Sequence, residues 1–528
     1  MPVVRNLTRV AVVCPESCGE RLGHRQRGVL TPRIWLATVV ACVFAWLGNP
    51  EARTADITVL TTQQLSTRAQ FASEMEAVAS ECDHAQLTSL AAEIRQSALP
   101  LEQQPGNIDN LPTHIQAEIP ASLPPAERAA RVRVRKLRTT YANDLYLLAR
   151  KALTEPHRSP SFAYRLVREV LFHDPDHVIA RKMRGYRRDG GEWTTQFAAE
   201  KKKANQVWHD EYGWLPAKHV ERYEAGERFY NGKWMTSEKE ETLRSDFKNG
   251  WDIETEHFFI QTNHSQEKGA HLAASVEAFH RYFMREFAAV FQTPQQMDKL
   301  FQDGTTIRRD RRYEIDHFRL QSEFVEQLIQ RCPSAGLING IYMPSDRKAY
   351  FFHNPETPAE DALGTLYHEV THQLLSESTL QTITVGTTRD FWVIEGIACY
   401  FESFRVAEDG TITVGDIHHP RIQAAREQVV TTQDHEPLVR FTAYGMLEFQ
   451  KPALAILQKR YAQATGLAHF FMNYQDGLYR DEFMEYLSQI YSPDERVRAG
   501  KKTRTLEQIL GVPYATLDTQ YAAYMRGL

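Results

Sequence analysis

Apolar residues along this chain recur mostly at three- and four-residue spacing, the period of a helix with one buried face. Residues 56–105 are rich in Gln and Ala and read as helix, for example over Ser66–Ser97. The stretch from Pro105 to Pro125 is dense in helix breakers and reads as a linker. Helical spacing returns at Ala126. Asn143–Leu153 and Ser161–Phe172 carry Leu, Ala and Val on one face, and the turn Asp174-Pro175-Asp176-His177 leads into a helix near Val178. The pattern then changes. Glu254–Thr262 reads as a strand centred on Phe258, Phe259 and Ile260, and Ser265 caps a long amphipathic helix running to about Phe291. Leu337–Met343 and Lys348–His353 form a second strand pair around the turn Pro344-Ser345-Asp346-Arg347, and after His353 nearly everything is helical. Strands first and helices after predict an α+β domain.

Four segments follow: a leader over 1–55, a helical region over 56–185, small Trp-containing modules over 186–250, and an α+β domain over 251–528. In the helical region, short helices around an Asp-Pro turn resemble tetratricopeptide-like pairs, although no clean period of about 34 residues runs through them. In the modules, Gly191-Glu192-Trp193-Thr194 is echoed 41 residues on by Gly232-Lys233-Trp234-Met235-Thr236. Each Trp is expected to plug the core of its own small unit, because large aromatics usually bury. The leader holds Ile34–Leu47, 14 residues without a charge behind Arg21, Arg25, Arg27 and Arg33. That is short for a bilayer span of about 20 residues and suits a secretory signal. The protein is therefore expected to be exported, with membrane attachment only if the leader stays uncleaved.

Composition narrows the functional classes. Of 528 residues, 42% are hydrophobic and 24% charged, with a mean hydropathy of −0.47, which excludes a multi-span membrane protein and a largely disordered chain. A net charge of −5 without clustered Lys and Arg argues against a nucleic-acid partner. Six cysteines are too few for a disulfide-built scaffold, and the chain beyond the leader keeps only Cys82, Cys332 and Cys399. There is no G-x-S-x-G elbow, Walker A loop or G-x-G-x-x-G, and Cys14 and Cys18 have no second pair with which to build a zinc ribbon.

The chemistry concentrates in His368-Glu369-Val370-Thr371-His372, an H-E-x-x-H motif. At helical pitch the two imidazoles share a face and can hold one Zn²⁺, while Glu369 stands beside it to polarise water. Thr357-Pro358-Ala359-Glu360 reads as the start of that helix, with an N-cap, a first-turn Pro and a capping-box Glu. Leu363, Leu366, Val370 and Leu374 form its apolar stripe, opposite the histidines. Glu395 is the one carboxylate between Asp390 and Glu402, inside the apolar run Trp392-Val393-Ile394-Glu395-Gly396-Ile397-Ala398. A buried carboxylate without a partner is expensive, so Glu395 is expected to be the third metal ligand.

H-E-x-x-H followed some twenty residues later by W-x-x-E-G-x-A resembles the gluzincin metallopeptidases, the thermolysin-like and M1-aminopeptidase-like group. The resemblance covers roughly residues 250–528 and is specific at these two motifs. It implies a zincin-like domain of a small mixed sheet plus a helical bundle, with His368, His372 and Glu395 on zinc and Glu369 as general base. The chain also resembles a family of secreted bacterial proteins of unassigned function built around a peptidase-MA-like domain, through Gly340-Ile341-Tyr342-Met343-Pro344 and the segment Tyr461–Phe470. Relatives of the M1 type use a downstream Tyr to stabilise the oxyanion, which points to Tyr461, with Tyr400 and Tyr444 as competitors. Thermolysin relatives place an Asp four residues after the Glu ligand to orient a His. Here Cys399 stands there, and Asp361 is the substitute considered.

The expectation is a zinc metallopeptidase that hydrolyses peptide bonds with a zinc-held water activated by Glu369. Its substrate is a protein or peptide pairing along the strand Lys348–Phe352. The lack of a carboxylate in Gly340–Pro344 to hold a free amino terminus favours an endopeptidase. The alternative is a non-catalytic envelope scaffold with a structural or vestigial zinc site, binding a protein partner through its helical N-terminal region. His418-His419 is expected to be a solvent-facing loop pair.

Overall fold

The computed structural model describes residues 50–104, 110–154, 156–305, 311–379, 385–492 and 504–528, with side chains from residue 58 onward. The apolar segment Ile34–Leu47, and with it the expected leader signal, lies outside the described residues. Among the described residues no helix is long and apolar enough to cross a membrane.

Four helices open the described residues: α1 (Pro50–His84), α2 (Thr88–Ser97), α3 (Pro125–Ala152) and α4 (Pro160–His173). Phe71, Met75, Val78 and Cys82 recur along α1 at three- and four-residue steps, and they bury against Tyr141, Leu145 and Ala149 of α3 and Phe162, Leu166 and Val170 of α4. Polar groups are enclosed there too, among them Glu169 and His173. Glu169 accepts hydrogen bonds from Arg68 (2.9 Å) and from the Tyr141 hydroxyl (2.8 Å), so its buried charge is paired. Met297, Leu300 and Phe301, from the helix Pro294–Asp303 much later in the chain, close the same core. The Pro-rich stretch expected to be a linker is pinned where it is described. The Trp193 N–H donates to the Thr113 carbonyl, and the Ile115 N–H to the Gly191 carbonyl.

The modules number three rather than two. Each is a hairpin followed by a helix: β1 (Arg187–Asp189) and β2 (Glu192–Thr194) with α5 (Gln196–Lys203); β3 (Gln206–His209) and β4 (Gly213–Pro216) with α6 (Val220–Glu224); β5 (Glu227–Tyr230) and β6 (Lys233–Thr236) with α7 (Ser237–Leu243). Trp193, Trp214 and Trp234 hold equivalent places on the second strands. Trp193 is the buried plug expected, and its indole N–H donates to Asp176 at 2.7 Å. Trp234 is half-buried, under the Arg222 guanidinium at 3.7 Å.

The α+β expectation holds for the rest. A five-stranded sheet has the order β10-β11-β9-β8-β7, from β7 (Trp251–Glu254), β8 (Phe258–Thr262), β9 (Tyr313–Phe318), β10 (Gly340–Met343) and β11 (Lys348–Phe352). β8, β9 and β11 run parallel, and β7 and β10 are antiparallel edges. Three expectations are corrected. The strand read over Glu254–Thr262 begins only at Phe258, as β8, because the chain turns at 255–257 and Glu254 ends β7. β9 was not foreseen. The strand Lys348–Phe352, expected to receive substrate, is interior, paired with β10 on one side and β9 on the other, and the edge is β10.

The helix α8 (Gln266–Glu286) crosses the sheet, and the Ser265 side chain caps it as expected, accepting from the Lys268 N–H. Then follow α9 (Ala359–Ser378), α10 (Phe391–Phe401), a small hairpin of β12 (Arg405–Val406) and β13 (Ile412–Thr413), α11 (Pro420–Val430), α12 (Leu454–Asn473), α13 (Arg480–Ile490) and α14 (Tyr514–Gly527). The capping box expected at the start of α9 does not form: Pro358 takes the N-cap position with no side-chain bond, and Glu360 and Asp361 favour that end by charge alone. Every residue of α10 is buried, with Trp392 among Phe441, Phe471 and Phe483. α10 can approach α12 this closely because Gly396 has no side chain: a Cβ there would stand 2.5 Å from the Ala464 carbonyl oxygen. Gly396→Ala is expected to cost about 1–3 kcal/mol in urea unfolding, whereas Gly336→Ala, at a site with open space, should stay within about 0.5 kcal/mol.

Candidate metal centre

α9 and α10 pack side by side, and their facing surfaces carry the three expected ligands. His368 and His372 sit one turn apart on α9, with ring planes at 78° and centroids 4.9 Å apart. Their Nε2 atoms are 3.2 Å from each other, and Glu395 Oε2 lies 3.5 Å from the first and 3.8 Å from the second. A divalent ion held tetrahedrally at about 2.0–2.2 Å from N and O donors needs them roughly 3.3 Å apart. The triangle is near that size. These buried side chains could hold a metal ion.

Glu395 is fully buried, and neither of its carboxylate oxygens has a hydrogen-bond partner. His368 is 2% exposed, while the His372 side chain keeps 11% of its surface open. Burial pushes His372 down to about 4, so its ring is neutral and its lone pair available. Burial works the same way on His368, but Cys399, Glu395 and Glu402 outweigh it and hold that group well above its ordinary value. Glu395 stands at the Nε2 edge of the His368 ring and Glu402 at its Nδ1 edge, so both edges of the ring face a carboxylate.

Glu369 is buried next to His368 on the same helix. One of its oxygens accepts the Tyr342 N–H of β10 at 2.8 Å, and burial pushes its carboxyl up to about 7. The edge strand therefore fixes the direction of this carboxylate.

The orienting partner of His368 is a residue that sequence reasoning missed. His368 Nδ1 lies 2.9 Å from Glu402 Oε1. An ionised carboxylate only accepts, so Nδ1 carries the proton and Nε2 faces the ion site. Glu402 is in turn gripped by Arg421 of α11 through two bonds, at 2.6 and 2.9 Å. Burial opposes its charge, yet Arg421 and His368 hold it well below the usual carboxylate range. Asp361 is exposed on the first turn of α9 and does not take this part. Cys399 is a free, fully buried thiol with its sulfur 3.8 Å from His368 Nδ1, packed behind the ring. The missed signal was spacing: Glu402 follows Glu395 by seven residues, two helical turns, and so shares its face.

Tyr461 is fully buried on α12, under the Arg421 guanidinium at 5.6 Å. Burial, then Glu395, push its phenol well above 10, so it keeps its proton as a donor must. Tyr491 stands in the same electrostatic neighbourhood, raised by burial and then by Glu395 and Tyr342. The two competitors point elsewhere: Tyr400 OH accepts from Asn473, and Tyr444 OH donates to Glu436. His418 is exposed as expected, and His419 is half-buried.

A second group, His257, Glu277 and His280, is also close enough together for an ion. Its rings stack at 3.9 Å and 25°, so their in-plane lone pairs run side by side instead of converging. His257 Nδ1 is 2.9 Å from Glu277, and the pair reads as an ion pair that holds the β7–β8 turn to α8.

His372→Ala should abolish stoichiometric metal retention in elemental analysis. Glu402→Gln should weaken metal affinity about 10–100-fold in a chelator competition titration, and Asp361→Asn should leave it unchanged.

The family model that matches this chain describes a protein of unknown function, DUF1570, and covers residues 362–493. That span holds His368, Glu369, His372, Glu395, Glu402, Arg421 and Tyr461. Neither the curated proteins nor the solved structures give a match.

Proposed function

We propose that the protein is a zinc-dependent metallohydrolase of the gluzincin type, an endopeptidase with a zincin-like domain over 251–528. The observation that carries this reading is the Glu395 carboxylate, fully buried without a hydrogen-bond donor and aimed at two imidazole nitrogens. A cation is the partner that such a group lacks. Zinc suits two nitrogens and one carboxylate oxygen. A structural zinc closes its shell with four protein ligands; among the described residues this group has three, which is the catalytic pattern.

Bound there, zinc supplies Lewis-acid polarisation of water and of the scissile carbonyl. The chain's residues do the remaining work. Glu402 and Arg421 keep the His368 ring in the tautomer that presents Nε2. Glu369, anchored by the Tyr342 N–H, accepts a proton from the attacking water and returns it to the leaving amine. Its raised pKa makes it a stronger base than an exposed carboxylate and still leaves it partly ionised near neutrality. An extended peptide would run along β10, the sheet edge beside α9. Tyr461 is the proposed donor to the developing oxyanion, with Tyr491 as its competitor.

Glu369→Gln is expected to keep zinc at wild-type stoichiometry while cutting cleavage of an unfolded protein substrate by about 10²–10⁴-fold. 1,10-Phenanthroline should abolish the wild-type cleavage, and added Zn²⁺ should restore it. A zinc-loaded wild type that leaves broad quenched-peptide libraries intact would remove the enzyme reading.

A further inference from the structure

A cavity of about 410 Å³ lies away from the metal centre, where the N-terminal helices meet the C-terminal bundle. It is walled by α4, α8, α10, α12, α13 and the β12–β13 hairpin. Four guanidinium groups from three helices reach it: Arg165 and Arg168 of α4, Arg285 of α8 and Arg480 of α13. Two carboxylates stand against them, Glu286 and Asp481, which leaves a net positive charge.

Both carboxylates are committed. Asp481 accepts from the Ser159 hydroxyl at 2.7 Å and the Ser161 N–H at 3.0 Å, closing the first turn of α4. Glu286 takes a 2.8 Å bond from Arg285 and lies 3.9 Å from Arg480. Arg165 is different. It stands exposed at the cavity mouth, with a ring contact to Phe162 at 5.2 Å and, among the described residues, no hydrogen bond or ion pair. Desolvation, then Arg480, push it below its ordinary value, although Asp481, Glu102 and Asp476 work the other way. Glu286 and Asp481 offset part of this crowding, and the excess positive charge still repels unless a further anion enters the cavity. Tyr164, Tyr282 and Tyr400 supply walls that are flat and carry hydroxyls.

We propose that this cavity binds a small molecule bearing two or more anionic oxygens, a polycarboxylate or a phosphate, with Arg165 as the guanidinium that closes on it. The guanidinium fork matches either anion in bidentate geometry. The volume suits a ligand at the small end of the usual range. Such a ligand would tie α4 to α8 and α13 and so stiffen the junction between the helical region and the domain that carries the metal centre.

The test uses the full chain at low salt, with tricarballylate and inorganic phosphate as separate probes in calorimetry and thermal melting. One or both should bind and raise the melting temperature, and whichever binds names the anion class. Arg165→Gln should melt higher than wild type without ligand, through relief of crowding, and should bind the probe at least about tenfold more weakly. His372→Ala should respond to the probe like wild type. The proposal is overturned if neither probe binds at millimolar concentration, if Arg165→Gln binds as wild type does, or if His372→Ala loses the response, which would place the effect at the metal centre.

Discussion

Glu395 carries a carboxyl group into a place where, among the described residues, no hydrogen-bond donor meets it. A carboxylate stripped of water costs several kcal/mol even after the surroundings relax, far more than one apolar neighbour returns. The rest of the domain is arranged around this cost. α9 brings two imidazoles to within 3.8 Å of the carboxylate, and α10 is apolar everywhere else, so Glu395 has no route back to solvent. A cation seated among the three side chains would offset that cost.

That meeting requires close backbone approach, and small residues permit it. Gly364 lets α9 lie against the end of α10, where a Cβ would be 3.2 Å from the Glu402 carbonyl oxygen, and Gly396 does the same between α10 and α12. At the sheet edge a Cβ on Gly340 would strike the Phe351 ring at 2.6 Å. That strand then delivers the Tyr342 N–H to Glu369. Ligand geometry, base orientation and core packing are therefore one problem, in which widening either helix contact would open the ligand triangle.

Local order was legible in the sequence and tertiary choice was not. The helix of His368 and His372 follows from its period, and Glu395 stood out as the one carboxylate in an apolar run. Glu402 was passed over because the orienting partner was sought at the fourth residue after Glu395, and which turn of α10 meets His368 depends on the angle between helices. β9 escaped because Glu314, Asp316 and His317 blur its alternation, although Asp316 is buried on Lys348 at 2.9 Å. The edge strand was misassigned because sheet order is set by pairing between β11 and β9, strands separated by a helix and a long connection. The middle module was missed for a local reason: Gly213 precedes Trp214 directly, while its neighbours carry one residue between the hairpin Gly and the Trp.

Placing the orienting carboxylate seven residues beyond the Glu ligand instead of four has consequences of its own. At the fourth position Cys399 fills the space behind His368 with a small polarisable group, which excludes water from the back of the ring. Glu402, at the end of α10, is then within reach of α11, and Arg421 binds both of its oxygens. The same guanidinium lies over the Tyr461 ring, so one cation neutralises the orienting carboxylate and borders the proposed oxyanion donor. An isolated aspartate would orient the histidine and do no more. The Arg421–Glu402 pair links α9, α10 and α11 through part-buried, charge-assisted bonds and touches α12 through the Tyr461 ring. Rigidity at His368 is thus drawn from four helices rather than from the two that carry the ligands.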